Sequence, residues 1–227
     1  MVQAYTSAMS HPATGHAEHR WPVVITTLVA FVIYLVLPDK VQFLPSWLLP
    51  AIGVAAIVPL LFMNPHRLNR ETTWSKWLSI LFAIGLLTVN QVYVVRIVML
   101  LVDGRVEGPV VLLTVLAVWS TNVIAYAIVF WELDSGGPVL RWLGPDAAAA
   151  RQDFLFPQQM RETAWRPEFS DYVFFSLSTM MAFSPTDVMP LSRRAKALMG
   201  LEALTGFVLL ALVISRAVNI LAPSGTG

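Results

Sequence analysis

Polar positions in this chain are gathered into short stretches, and long apolar runs separate them. A helix rises 1.5 Å per residue, so about 20 residues cross roughly 30 Å of hydrocarbon. On that measure five runs read as membrane spans: Trp21–Leu37, Phe43–Met63, Trp77–Val102, Pro109–Trp131 and Ala195–Leu221. The first is slightly short and the third is long enough to tilt. Pro38-Asp39-Lys40 stops the first run and Asn64-Pro65 stops the second. Asp103-Gly104-Arg105-Val106-Glu107 reads as a tight hairpin between the third and the fourth. The pattern divides the chain into a polar N-terminal tail (1–20), a four-span region (21–131), a polar connection (132–170), a C-terminal unit (171–221) and a short tail (222–227).

The connection opens on the flexible run Asp134-Ser135-Gly136-Gly137-Pro138. Pro145-Asp146-Ala147 and the alanines after it predict a short capped helix, and Phe154-Leu155-Phe156-Pro157 an apolar plug or interfacial contact. Trp142 and Trp165 suit the headgroup zone. The segment Asp171–Phe183 is apolar, but at about 13 residues it measures roughly 20 Å as a helix, too short to span. Ser170 or Asp171 can cap its start, and Ser184-Pro185 stops it. Two readings fit: a re-entrant half-helix, whose turn needs protein or water to receive its backbone polar groups, or a helix lying along the interface.

Composition agrees with the membrane pattern. The chain is 56% hydrophobic and 13% charged, against about 25% charged in an ordinary soluble domain. Basic residues form no cluster large enough to follow a phosphate backbone, so no nucleic-acid partner is expected. With no cysteine there is no disulfide framework, thiolate nucleophile or sulfur metal site. The N-terminal tail lacks the basic start and small-residue cleavage site of a secretory signal. Its His11, His16 and His19 have no fixed geometry for a metal. Ser176, Ser178 and Ser184 lie outside any Gly-x-Ser-x-Gly elbow, and all four histidines precede position 67, so catalysis is not expected. Neither a metal nor a cofactor is expected. Glu132 and Asp134 form the best-placed carboxylate pair, with Asp187 as a third oxygen donor if a cation binds.

From Asp171 to Asn219, under a quarter of the chain, the sequence resembles the pore domain of two-span potassium-type ion channels. Phe175-Ser176-Leu177-Ser178-Thr179 looks like the pore helix, and Asp187-Val188-Met189-Pro190 like the stretch leaving the filter. Arg193-Arg194-Ala195-Lys196 and Leu201-Glu202-Ala203-Leu204-Thr205-Gly206 look like the start of the inner helix. The resemblance implies a pore loop lined by Thr179, Ser184, Pro185, Thr186 and Asp187, in a homo-oligomer passing a small ion. The filter departs from the family, because Ala182-Phe183-Ser184-Pro185-Thr186 stands where Thr-Val-Gly-Tyr-Gly belongs. Potassium filters present rings of carbonyls on backbone that glycine permits, and proline restricts both itself and the residue before it. Potassium selectivity is therefore not expected. Over most of its length, through Phe130-Trp131-Glu132-Leu133-Asp134-Ser135-Gly136-Gly137-Pro138 and Ala182–Asp187, the chain also resembles bacterial polytopic membrane proteins that carry no assigned function.

Charge sets the expected orientation. With five spans and a cytoplasmic N-terminus, eleven basic residues fall inside, from Arg20 through Lys196, and only Lys40 and Arg105 fall outside. That orientation puts Ser184-Pro185-Thr186 on the cytoplasmic side, opposite to the entrance of a potassium-type channel. Asn90 and Gln91 on one side of the 103–107 turn, and Ser120, Thr121 and Asn122 on the other, fall at similar depth near mid-membrane, where Thr205 can join them. They read as hydrogen-bond glue between helices or as a polar site. Arg96 and Arg216 occupy one leaflet, either snorkelling to headgroups or sharing an anion. A carboxyl at the depth of Glu202 must be paired or protonated.

The sequence thus predicts an all-α integral membrane protein of about five transmembrane helices, with a short re-entrant or interfacial helix before the last span. It is expected in a bacterial inner membrane with the lipid bilayer as its surroundings. Its expected role is channel-like; a non-conducting scaffold or accessory subunit is the alternative.

Overall fold

The computed structural model describes residues 19–38, 42, 44–63, 73–102, 108–143, 152–161, 165–181 and 187–221. Seven helices make up most of it: α1 (Trp21–Val36), α2 (Leu48–Met63), α3 (Thr73–Val102), α4 (Gly108–Leu133), α5 (Pro138–Leu143), α6 (Phe169–Met180) and α7 (Arg193–Leu221). Two short strands, β1 (Phe154–Leu155) and β2 (Met189–Pro190), pair antiparallel with Phe154 opposite Pro190. Three helices, over Trp74–Leu101, Leu112–Gly136 and Arg193–Ser215, are long and apolar enough to cross a membrane; α1 and α2 are apolar but only 16 residues each.

Helix α4 is the axis of the bundle, with α1, α3, α6 and α7 packed around it. Every residue from Thr121 to Glu132 is buried, whatever direction it faces, which explains why this helix is apolar all round. The outer helices are sided instead. Phe31 and Tyr34 of α1 point inward while Ile25, Val32 and Val36 are exposed; Ile97 and Ala83 of α3 are buried while Leu81, Val95 and Met99 are exposed. Large apolar side chains thus cover the outside of the bundle as well as its interior.

Helix α6 starts earlier than its sequence suggests. Glu168, not Ser170 or Asp171, stands at the N-cap, and its amide donates to Asp171 Oδ2 at 2.8 Å. The helix ends at Met180; Ser184-Pro185, its expected stop, lies outside the described residues. So do residues 1–18 and 222–227 of the tails, the 103–107 hairpin and the helix expected from Pro145. Phe154 and Phe156, expected as a plug, are buried against α4 and α6. Phe154 meets Phe130 and Phe175 at 5.0 Å each, and Phe156 meets Tyr172 at 5.3 Å. Phe130 and Phe175 stack at 4.8 Å, so one aromatic cluster ties the connection and α6 to the end of α4.

Candidate functional site

Three sets of contacts measure how far α6 reaches along the bundle. Near its start, Tyr172 donates its hydroxyl to Asp134 Oδ2 (2.5 Å), at the end of α4. Midway, Ser176 Oγ donates to the Val123 carbonyl at 2.8 Å. At its end, Met180 Sδ accepts from Asn122 Nδ2 at 3.2 Å. Asp134 and Asn122 are twelve positions apart, about 18 Å of helix. Helix α7 repeats the measurement: Arg194 donates to the Leu133 carbonyl at the bundle's end (3.2 Å), whereas a Cβ on Gly206 would run into the Met180 carbonyl. Helix α6 therefore enters beside the C-terminus of α4, runs antiparallel to it and stops at mid-bundle. By Met189 the chain is back at the entry end, because β2 pairs with β1 and Leu191 N donates to the Asp153 carbonyl at 2.7 Å.

The polar residues expected at mid-depth are brought together. Asn90 Nδ2 donates to Asn122 Oδ1 at 2.5 Å, and Gln91 Nε2 donates to the same oxygen at 2.9 Å. Thr121 Oγ1 and the Tyr34 hydroxyl donate to Asn90 Oδ1 at 2.8 and 2.9 Å. Thr205 Oγ1 reaches Gln91 Oε1 at 3.3 Å. The network joins α1, α3, α4 and α7, and through Met180 touches α6. Its amides bond one another, which is the glue arrangement. Ser120 is not part of it; its hydroxyl donates to Leu116 O of its own helix. Tyr34 was not apparent from the sequence, since no local pattern told which face of α1 meets α3.

The other candidates are scattered. Thr179 is buried and donates to Phe175 O at 3.0 Å, so its hydroxyl serves its own helix. Asp187 is exposed at the entry end. Ser184, Pro185 and Thr186 lie outside the described residues, as does the side chain of Arg216. Arg96 is half-buried on α3. Glu202 is fully buried, bonded through Oε1 to Ser176, with Oε2 unpartnered.

Of a second polar centre, at the entry end, the sequence pointed only to Asp134 and Glu132, as a carboxylate pair. Asp134 Oδ1 accepts from the amides of Asp153 (2.9 Å) and Phe154 (3.1 Å), while Oδ2 accepts a hydrogen bond from the Tyr172 hydroxyl. Asp134 thus holds protein groups rather than pairing with Glu132 and Asp187 around a cation, and the described residues contain no cluster of three metal-ligating side chains. The turn that follows needs left-handed backbone, with φ of 56° at Ser135, 80° at Gly136 and 109° at Gly137, which explains the paired glycines. Arg141 folds back over this turn, donating to the carbonyls of Trp131 (2.7 Å) and Asp134 (2.8 Å) with its guanidinium over the Tyr172 ring at 5.1 Å. Asp153 receives Arg194 through two nitrogens and Ser192 through its hydroxyl. Beside them opens a pocket of about 500 Å3 lined by Lys76, Glu132, Gln152, Asp153, Ser192 and Arg194. The signal for this centre was only the carboxylates and polar richness of 132–170; the partners of the Asp134 and Asp153 carboxylates from other elements lie 19 to 41 positions away in sequence.

The chain matches no family model, no curated protein and no solved structure.

Proposed function

We propose that this chain is an integral membrane protein of pore-loop architecture, whose copies assemble around a path for a small ion without potassium-type selectivity. The observation that carries the reading is the course of α6: it descends from the Asp134 end to Met180 beside Asn122 and Gly206, and the chain has returned by Met189. An extended strand covers about 3.3 Å per residue, so the stretch 181–188 is long enough to climb back over the depth that α6 descended. Helix in and chain out, between two crossing helices, is the course of a pore loop. Five crossings, by α1 to α4 and α7, are part of the same reading, with the 16-residue α1 and α2 crossing where the lipid is thinned. The apolar outer faces of α1, α3 and α7 suit lipid, and the basic residues favour a cytoplasmic N-terminus in a bacterial inner membrane.

Within one copy the mid-depth amides bond one another, which favours a path between copies. The stretch Ser184-Pro185-Thr186-Asp187 is the candidate lining, whereas Thr179 is buried within its own copy and is left out of it. No catalytic step belongs to this reading. The test is ion flux into liposomes containing the purified protein. Flux is expected, and Asp187→Ala is expected to reduce it for cations; absence of flux for sodium, potassium, calcium, chloride and protons overturns the proposal.

A second reading, a non-conducting scaffold or accessory subunit, is favoured by a different observation. The lost filter is accompanied by a structured polar surface at the entry end, where Asp153, Arg194 and Ser192 frame an open pocket. On this reading the 132–170 segment docks another protein, and a stoichiometric partner co-purifies in mild detergent.

A further inference from the structure

Glu202 lies on the inward face of α7, fully buried, where α4, α6 and α7 meet. Its Oε1 is hydrogen-bonded to Ser176 Oγ, and its Oε2 has no partner. Ser176 Oγ is also 2.8 Å from the Val123 carbonyl. A serine hydroxyl carries one proton, and a backbone carbonyl only accepts. Both contacts are satisfied together when the serine proton goes to Val123 and Glu202 donates to Ser176 Oγ. That arrangement requires the neutral carboxylic acid. The neutral form also leaves Oε2 as an ordinary carbonyl-type oxygen, whereas a carboxylate there would be a desolvated charge with one oxygen bare.

Among the described residues the surroundings supply no counter-charge. From α4 the titratable neighbour is the phenol of Tyr126, buried and receiving a weak bond from Gln91 Nε2 at 3.4 Å. From α6 the facing group is Ser176, and from α3 it is Gln91, which reaches α7 through Thr205. Among the described residues no cation bonds Glu202.

We propose that Glu202 is a proton-binding site inside the bundle, and that its bound proton latches the half-depth helix α6 onto α7. When the carboxyl O–H bond breaks, the proton passes to a water molecule admitted by a transient opening of α6 from α7. The Ser176 proton then has two competing acceptors, Val123 and the new carboxylate. The charge also faces the Tyr126 oxygen, and the contact of Met180 with Gly206 is left to hold the tip of α6. Undocking lets water reach the carboxylate. The inference rests on the half-depth course of α6 in the reading above, and not on conduction.

Two measurements test it, neither requiring flux. In membranes at neutral pH, the infrared difference between the parent protein and Glu202→Gln is expected to contain the carbonyl band of a neutral carboxylic acid. Ser176→Ala is expected to move that band to the position of a less strongly hydrogen-bonded acid. A difference spectrum holding only carboxylate bands, or a band that Ser176→Ala leaves in place, overturns the proposal. In the second measurement Ser178→Cys, the only thiol in the chain, reports docking by its labelling rate. The rate is expected to rise more steeply with pH in the parent than in the Glu202→Gln background, where only the thiol's own ionisation remains. Superimposable pH profiles overturn the latch. Absence of flux alongside a positive infrared and labelling result would remove the channel reading and leave the proton site standing.

Discussion

Asn122 accepts from Asn90 and Gln91 of α3 and donates to Met180 of α6, so a single amide serves two neighbouring helices. Interhelical hydrogen bonds in membranes average about 0.6 kcal/mol, but stranding a buried donor costs about 1–3 kcal/mol. Asn122→Leu strands the Asn90 and Gln91 amides together. It is expected to lower stability by about 1–3 kcal/mol in detergent unfolding, with Asn90→Leu adding less than its own single effect when the two are combined. Gly206 supplies a sharper contrast with Gly200 on the same helix. A Cβ at Gly206 collides with the Met180 backbone, whereas at Gly200 it meets open space. Gly206→Ala is expected to destabilise by about 1–3 kcal/mol through overpacking, and Gly200→Ala to be neutral or to stabilise by up to about 1 kcal/mol. Paired melting curves of the two variants measure both effects. The sequence showed Gly206 as part of an inner-helix-like stretch, but the carbonyl it must admit belongs to a residue 26 positions earlier.

At the scale of elements, the length of α6 was legible because its apolar run is plainly too short to cross a bilayer. Whether it dips or lies flat was not legible, since an apolar helix with one exposed Phe174 and a buried Phe175 fits either setting. Tertiary contacts with Asp134 at one end and with Asn122 and Gly206 at the other set its direction along the bundle, antiparallel to α4. Asp134 organises the entry. Asp134→Ala leaves two backbone amides and the Tyr172 hydroxyl without their acceptor, so a loss of about 3 kcal/mol or more is expected. Asp134→Asn keeps an oxygen for the two amides and should cost less. Unfolding of the pair, followed by near-ultraviolet circular dichroism of the Tyr172, Trp131 and Trp165 environment, checks the order. This aspartate looked like half of a carboxylate pair with Glu132, because sequence proximity hides what a folded turn brings to each oxygen.

Across the whole molecule, a buried central helix leaves each of α1, α3 and α7 with one apolar face outward and one inward. The bias of basic residues then predicts which end faces the cytoplasm. Gln158 is exposed at the entry end, and Ser224 follows α7. Single cysteines introduced at each are expected to label from opposite sides of the membrane, with Gln158→Cys reached only after permeabilisation. Labelling of both from one side would contradict an odd number of crossings. Ser135 is a poor reporter for this purpose, being buried in its left-handed turn.

The sequence by itself determined α1 to α4, α6 and α7 and their approximate limits, though not the short α5, because long apolar runs broken by proline, glycine and charge leave a chain few other ways to satisfy its backbone. It also placed Asn90, Gln91 and Asn122 at one depth, since rise per residue is a local property. Only the tertiary structure decided which groups share a proton or a bond across the bundle: Tyr34 with Asn90, Asp134 with Tyr172, Ser176 with Glu202. These pairings depend on helix rotation and on how the connection folds back. In a helix apolar on nearly every side, as α4 is, no pattern along the chain records which face meets which neighbour.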